Sequence, residues 1–439
     1  MTMGIFSFLR KQGLTTLKIR YDYKTGKIRY FAFREWEEDC DFSRYNKDFV
    51  AGSFLSDCNK FYGQEELDEK LVGGGVAEYF QDFLRLMREN RYFGVDFYYH
   101  EKLGIKVMAF DHNRTKGINS KTWGKTLGGI RRHPPEKKEW EVLADGIKLG
   151  AAMTYKSAAL DLPAGGSKLL AWMREPNLQN DQILGFFAYV ADRSQVITTP
   201  DMNLPIEMSD RVKEMGYSKL FVGGKEAAVG KPGDATALGI LLSMKAAVEF
   251  KEGKKEFPLE GKRIVLMGHG SVGRPLVKHL LKEKAEVILA VRDPSSAPKG
   301  VKAVPYDEGV FQDGDILCPC GSGGVIKEED IPCLKFSYIW GAANNQLMAR
   351  TREDEYRLAK KIQERGILYQ AEWWHNGGGI LCMAEEYFYD GTKDSLEAKL
   401  HKIIPQKTLD VLGEAEREGL TPTEVCYRKC EEAVYPTEE

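Results

Sequence analysis

Three features of the sequence predict an α/β chain with more than one domain. Residues 259–293 read "LEGKRIVLMGHGSVGRPLVKHLLKEKAEVILAVRD", an apolar strand, a glycine-rich turn, a helical pattern and a second strand. Two later runs, "DGDILCPCGSGGVI" and "FSYIWGAANNQL", each read as an apolar strand that ends in small or amide residues. Near the N-terminus, "TTLKIRYDYKTGKIRYFAFREW" alternates apolar and polar residues around "KTGK", the period and turn chemistry of a β-hairpin. With 439 residues, 43% of them hydrophobic, the chain has room for about two or three domains.

Taken in order, residues 1–76 form an extension of β character that closes on "VGGGV" at 72–76, read as a linker. Residues 77–222 form a second unit, and "GGKEAAVGKPGDATALGILLSMKAAVEF" leads from it, through a loop and a long helix from about Ala235, into a third part, 223–385. Residues 386–439 read as helices that return to the 77–222 unit.

The strand–turn–helix context gives the glycines of "GHGSVG" their meaning. Gly268 permits the tight turn, Gly270 lets backbone approach a pyrophosphate, and Gly273 lets the helix pack on the sheet. His269, Ser271 and Val272 complete the turn, and the helix N-terminus offers amide donors to phosphate. An adenine dinucleotide is expected there, in a Rossmann-type domain.

An NAD site would place an acid at the end of the second strand, to bond the ribose 2'-hydroxyl. The strand ends Val291, Arg292, Asp293, so NADP is favoured over NAD, with Arg292, Ser295 and Ser296 available to a 2'-phosphate. In the alternative, Asp293 takes the acid's role two residues late. Ligands of open parallel sheets bind at the carboxyl ends of the strands, which places Gly341 to Asn345 near a nicotinamide ring. Asn344 and Asn345 equally suit a plain turn.

Composition narrows the partners. Lys plus Arg (63) nearly equals Asp plus Glu (65), so no basic field recommends a nucleic acid. The longest apolar stretches, such as "ILGFFAYVA", fall far short of the about 20 residues of a membrane span. "MTMGIFSFLRKQ" reverses the order of a secretory signal. The eight cysteines are too scattered for a disulfide framework. The expectation is a cytoplasmic chain with small-molecule ligands and no metal: Cys318 and Cys320 read as packing, Cys426 and Cys430 as a surface thiol pair on a helix.

One lysine calls for chemistry. "ALDLPAGGSKLL" places Lys168 between two glycines and an apolar run, and lysine is almost never fully buried without a partner or a task. With "KTLGGIRRHPP", "MTYK", "VITTPDMN", "GHGSVG", "WGAANNQL", "GILYQAEWWHNGGGI" and "GLTPTEVCYRKCEEA", it makes residues 77 to 435 resemble the glutamate, leucine, phenylalanine and valine dehydrogenases. The resemblance implies a two-domain amino acid dehydrogenase fold, homo-oligomeric assembly, and reversible oxidative deamination of an L-amino acid to a 2-oxo acid and ammonium. It implies Lys168 as the catalytic lysine and Asp201 as the group that handles protons at the substrate amine. It further implies Lys156 as holder of the substrate carboxylate, and Thr236 and Asn345 as residues that orient substrate and nicotinamide.

Elementary chemistry agrees with those roles. A lysine in a partly dry site beside another cation has its pKa lowered and can act as a base toward water. Gly128, Gly129, Gly165 and Gly166 leave room for close backbone approach. The plain alternatives are surface salt bridges for the lysines and a helix cap for Asp201. His133 and His375 fall outside the matched roles and read as wall or surface residues.

The chain also departs from the pattern. The position before "GGIR" is lysine in glutamate-specific members and is Leu127 here, which cannot pair a second carboxylate. Leu127, Ile380 and either Trp373 or Trp374 point to an apolar or aromatic substrate, although "ALDLPAGGSK" is closer in wording to the glutamate branch. An imine-forming condensing enzyme of the same fold, a glutamate dehydrogenase and a non-catalytic interaction protein are the alternatives; the last is expected to lose Lys168 or Asp201, and both are present.

Overall fold

The computed structural model describes residues 4–46, 60–114 and 124–435, arranged in two compact units. Cys58 and most of the 111–125 loop lie outside the described residues. The first unit comprises Met1–Ser157, Leu162–Ala227 and Glu386–Phe388, the second Ala158–Asp161, Ala228–Glu385 and Tyr389–Glu439.

The first unit is built on a mixed sheet. Its strands are β1 (Thr16–Asp22), β2 (Lys27–Phe33), β3 (Phe61–Tyr62), β4 (Gly94–His100), β5 (Ile105–Asn113), β6 (Thr126–Leu127), β7 (Ile130–His133), β8 (Gly165–Trp172) and β9 (Val196–Ile197). Their order is β3-β2-β1-β4-β5-β8-β6-β9, with β7 also beside β8. Pairing is antiparallel from β3 to β8 and parallel among β8, β6, β7 and β9.

β1 and β2 form the hairpin that the alternation predicts, and Asp22 accepts from the Lys24 amide (3.0 Å) and the Thr25 hydroxyl (2.7 Å) to hold its turn. The extension is nevertheless not a separate part. β1 pairs along its other edge with β4, Leu17 opposite Phe97, and Leu17 and Ile19 enter the same core as Phe83 and Phe97. Arg20 grips the buried Asp96 of β4 through both guanidinium nitrogens, the bidentate pairing that makes such a burial tolerable. The "VGGGV" stretch is likewise no interdomain linker. It turns the chain between α2 (Gln64–Gly73) and α3 (Ala77–Glu89), both packed in this core; the short helix α1 (Ile5–Gln12) joins them there. α1 is fastened by Glu139, whose carboxylate accepts from the amides of Ile5 (2.7 Å) and Phe6 (3.2 Å), the orphan donors of the helix start. Glu139 opens the long helix α4 (Glu139–Ala159), and α5 (Asp181–Ser194) and α6 (Glu207–Glu214) follow.

The second unit holds six parallel strands: β10 (Arg263–Met267), β11 (Glu286–Val291), β12 (Lys302–Pro305), β13 (Ile316–Pro319), β14 (Tyr338–Ile339) and β15 (Leu368–Tyr369). They run in the order β12-β11-β10-β13-β14-β15. Numbered within the unit this is 3-2-1-4-5-6, the doubly wound dinucleotide-binding order, with its switch point at β10 and β13. α7 (Pro232–Glu252) and α8 (Gly273–Lys282) cover one face; α9 (Arg352–Glu364), α10 (Gly378–Tyr389), α11 (Lys393–Glu418) and α12 (Pro422–Val434) complete the unit.

Of the residues 386–439 expected to return to the first unit, Glu386–Phe388 group with it, whereas Tyr389–Glu439, with α11 and α12, belong to the second. α11 lies along α7, where the hydroxyls of Ser243 and Thr408 meet at 2.9 Å and Leu412 shares a core with Ile240, Met244 and Val248. α7 is apolar nearly all round, so one face takes the sheet and the other needs a second cover. Cys426 and Cys430 are also not at the surface; both face inward on α12 and are buried. No helix of the described residues is long and apolar enough to cross a membrane.

Candidate active site

In the first unit, β6 and β7 lie end to end along β8, separated by Gly128 and Gly129. β6 pairs with Gly165 and Gly166, β7 with Leu169 to Trp172, so the two glycines pass beside Ser167 and Lys168. A Cβ on Gly128 would stand 2.0 Å from the Ser167 carbonyl oxygen, and one on Gly129 would stand 3.1 Å from the Asp201 Cβ and 3.5 Å from Lys168 Nζ. Glycine is needed at Gly128 for the chain to run this close to β8, and at Gly129 a side chain would press on Asp201.

Lys168 points into that gap and is 5% exposed. Its Nζ donates to Asp201 Oδ2 at 2.5 Å. Burial lowers the Lys168 pKa, Asp201 opposes the shift, and Arg131 adds to it; the net direction is down. Asp201 is also desolvated, but Lys168 and Arg131 outweigh that and hold its carboxyl well below the usual range. The site therefore rests as a tight ion pair whose lysine is easier to deprotonate than a free one. Asp201 is not a helix cap, since α6 begins at Glu207 after an Ile206 cap; its own amide donates to Ile130 O at 2.8 Å, which sets it beside β7.

Lys156 sits in the last turn of α4 and is buried. Gly166 lets α4 come down on β8, for a Cβ there would meet the Thr154 amide nitrogen at 1.9 Å. Leu127 is 0% exposed, enclosed between β8 and β9.

Sequence reasoning passed over Arg131 and Asp145 and left His133 outside the matched roles, as a wall or surface residue. Arg131 Nε lies 3.4 Å from Asp201 Oδ2, and Arg131 Nη1 lies 3.3 Å from Asp145 Oδ2. His133, buried rather than at the surface, places Nε2 2.9 Å from the same Asp145 oxygen. The signal was available: on a strand, residues two apart share a face, so Arg131 and His133 follow Gly129 on one side of β7.

The second unit carries the dinucleotide turn. Gly268 has φ +105°, a conformation open to glycine. A Cβ on Gly273 would lie 2.2 Å from Gly268 O, whereas one on Gly270 would meet nothing within 4 Å. That combination, tight at the helix and open at the middle glycine, fits a pyrophosphate cradled by His269, Ser271 and Val272 at the start of α8. β11 ends on the buried Val291, and Arg292 is exposed. Asp293 Oδ1 is occupied locally: it accepts from Ser295 N (3.1 Å) and Ser295 Oγ (2.6 Å), capping a short turn. Ser296 Oγ likewise donates to Asp293 O at 2.6 Å.

After β14, Gly341 to Asn345 are held from below. Asn345 has φ +54°, and its amide donates to the buried Glu372 at 2.6 Å. Asn376 Nδ2 donates to Ala342 O (3.0 Å) and Asn344 Oδ1 (3.1 Å). His375 is no surface residue: it is buried, stacked on Trp340 at 4.8 Å, with Nε2 3.2 Å from Gly341 O. Thr236 and Ile380 lie where α10 closes on α7, so tightly that a Cβ on Gly378 would stand 2.3 Å from Ala235 O. Trp373 and Trp374 face the C-terminal helices. Trp373 packs on Tyr427, and Trp374 Nε1 donates to Lys407 O at 3.0 Å.

The dimerisation domain of the Glu/Leu/Phe/Val dehydrogenases matches residues 113–217. Phenylalanine dehydrogenase of Bacillus thermotolerans is 31% identical over 332 residues, 72% of this chain and 83% of that protein. This chain belongs to the Glu/Leu/Phe/Val dehydrogenase family. The family's leucine dehydrogenase from Thermoactinomyces intermedius is 30% identical over 352 residues, 77% of this chain and 93% of its own. The dehydrogenase also resembles the crystal structure of L-tryptophan dehydrogenase from Nostoc punctiforme, with a TM-score of 0.61 and 27% identity over 80% of this chain and 98% of that one. As a family member it is an NAD(P)-dependent oxidoreductase acting on amino acids.

Proposed function

We propose that this enzyme oxidises an L-amino acid with an apolar or aromatic side chain, with Lys168 as base and NADP as the preferred acceptor. The observation that carries the reading is the buried Lys168–Asp201 pair, in which burial and Arg131 make the lysine easier to deprotonate than a free one. The relatives named for leucine, phenylalanine and tryptophan support the substrate class.

In this reading Lys156 pairs with the substrate α-carboxylate, and Gly128 and Gly129 leave room for it. Asp201, held as carboxylate, takes a proton from the substrate ammonium. The bound nicotinamide supplies the acceptor for the hydride that leaves Cα. Neutral Lys168 then takes a proton from water as the water oxygen bonds to the resulting iminium carbon. Asp201 returns a proton to nitrogen; as the C–N bond breaks, the hydroxyl oxygen forms the new carbonyl and its proton passes to the departing ammonia, so the products are the 2-oxo acid and ammonium, and Lys168 keeps the proton taken from water. Within the first unit Leu127 bounds the substrate side chain; within the second, Thr236, Asn344 and Asn345 orient the nicotinamide. Assembly as a homo-oligomer in the cytoplasm belongs to the same reading.

A panel of the twenty amino acids assayed with NAD and with NADP tests it. An apolar wall gives a second carboxylate no counter-ion, a penalty of several kcal/mol. The kcat/KM for glutamate should therefore fall at least about a hundredfold below that for the best of leucine, phenylalanine and tryptophan. Glutamate as best substrate refutes the apolar wall.

In this reading Arg292 selects the nucleotide. Asp293 Oδ1 is engaged by Ser295, which supports the exposed Arg292 as the side chain that meets the 2'-phosphate. Arg292→Ala should weaken NADP by about 2 kcal/mol, the loss of a charge-assisted contact, and leave NAD unchanged. Calorimetric titration reads both; equal losses remove Arg292 from the 2'-phosphate.

A further inference from the structure

Asp201 is shared between two cations, and the second has no place in the reaction as set out above. Its Oδ2 lies 2.5 Å from Lys168 Nζ and 3.4 Å from Arg131 Nε. Arg131 Nε is buried and makes no hydrogen bond, so it faces the carboxylate as a charge at ion-pair distance. The other end of the guanidinium is braced: Nη1 lies 3.3 Å from Asp145 Oδ2, which is also 2.9 Å from His133 Nε2. Lys137 Nζ lies 3.3 Å from His133 Nδ1. An ammonium only donates, so Nδ1 accepts, and Nε2 carries the proton that Asp145 receives.

We propose that Arg131 is a positioning residue of this site: its permanent cation, braced by Asp145 and His133, holds the Asp201 carboxylate partly away from the Lys168 ammonium. The inference rests on the reading of Lys168 as base.

The physical need for it is plain. An aspartate 2.5 Å from a buried ammonium would by itself keep the lysine protonated, and a protonated lysine cannot take a proton from water. Arginine stays charged at any working pH, so it competes for the carboxylate and repels the ammonium at once. The charged groups acting on Lys168 are Asp201 and Asp145, which favour its proton, and Arg131, which disfavours it; His133 and Lys137 act through Asp145. With burial, Arg131 brings the net shift downward.

The test is the pH profile of kcat/KM for the amino acid that the wild-type enzyme oxidises fastest, measured on wild type, Arg131→Met, Arg131→Lys and Lys168→Ala. In Arg131→Met the acid limb should move up by about one pH unit, so that activity on that limb falls about tenfold, while the high-pH plateau stays within about threefold of wild type. Arg131→Lys keeps the charge and should hold the limb near its wild-type place. Should Arg131→Met lack a cooperative melt, Arg131→Gln gives the same reading. A limb that stays put in the neutral variant, with Lys168→Ala silent, makes Arg131 a purely structural residue and overturns the proposal alone. A limb that moves as far in Arg131→Lys as in Arg131→Met also overturns it, because the fixed charge is then not the cause. An active Lys168→Ala removes the base reading and this inference with it.

Discussion

Lys168→Ala should lower kcat for amino acid oxidation by about 10²- to 10⁴-fold, the usual worth of a positioned acid–base group, with the Kd of the dinucleotide unchanged. The amine lost is the one group in the Lys168–Asp201–Arg131 cluster whose proton affinity is brought down toward working pH. Deleting one member of a buried ion pair ordinarily strands the other at a cost of about 3 to 5 kcal/mol. Asp201 is not stranded here, because Arg131 stays beside it, so the melting temperature should drop by much less than such a loss implies. The dinucleotide turn of Gly268, Gly270 and Gly273 belongs to the other unit and supplies its contacts independently of this lysine. Steady-state kinetics, a thermal melt and a cofactor titration on one preparation separate the three effects. A kcat within threefold of wild type ends the assignment of Lys168 as base.

Gly166→Ala should be nearly as damaging by a different route. Its Cβ would lie 1.9 Å from the Thr154 amide nitrogen and 2.4 Å from the Thr154 Cα, and both are backbone atoms of α4 that no rotamer change can clear. Either α4 lifts from β8 or the strand bends. Overpacking of this kind costs about 1 to 3 kcal/mol. The added methyl also separates Lys156, two residues along α4 from Thr154, from Lys168, two residues along β8 from Gly166. Misplacement by an ångström costs about a hundredfold in catalysis, so kcat/KM should fall further than stability alone predicts. Gly270→Ala is the control: no atom lies within 4 Å of its added Cβ, and the fold should tolerate it. Equal melting temperatures for Gly166→Ala and wild type contradict the close approach.

The parts of this architecture that were legible in the sequence are those written in local patterns. The hairpin of β1 and β2 follows from period-two alternation about one turn, and β10, α8 and β11 follow from a strand, a glycine turn and a helical repeat within 35 residues. What the sequence hid lies in pairings between distant segments. That β1 takes β4 as its second neighbour, absorbing the extension into the first unit, has no local signature, and neither has the preference of α11 for α7. The site divides in the same way. Lys168, Asp201 and the glycine pair are visible as motifs; Asp145 shows as one of three acids on α4 until the fold brings it under Arg131 and His133. His375 escaped for a related reason. Its burial depends on Trp340, 35 residues earlier, offering a ring to stack on.

The union of α7 with α11 also bears on how the chain is made. Ser243 and Thr408, whose hydroxyls join the two helices, are 165 residues apart. During synthesis α7 therefore emerges with an uncovered apolar face, Ile240, Met244 and Val248 among its residues, and waits until most of the second unit has left the ribosome. The first unit has nearly all its strands and helices in hand by residue 227. At about 5 to 20 residues per second, the exposed interval lasts on the order of ten to thirty seconds. For that time the nascent second unit exposes apolar surface that the finished chain buries.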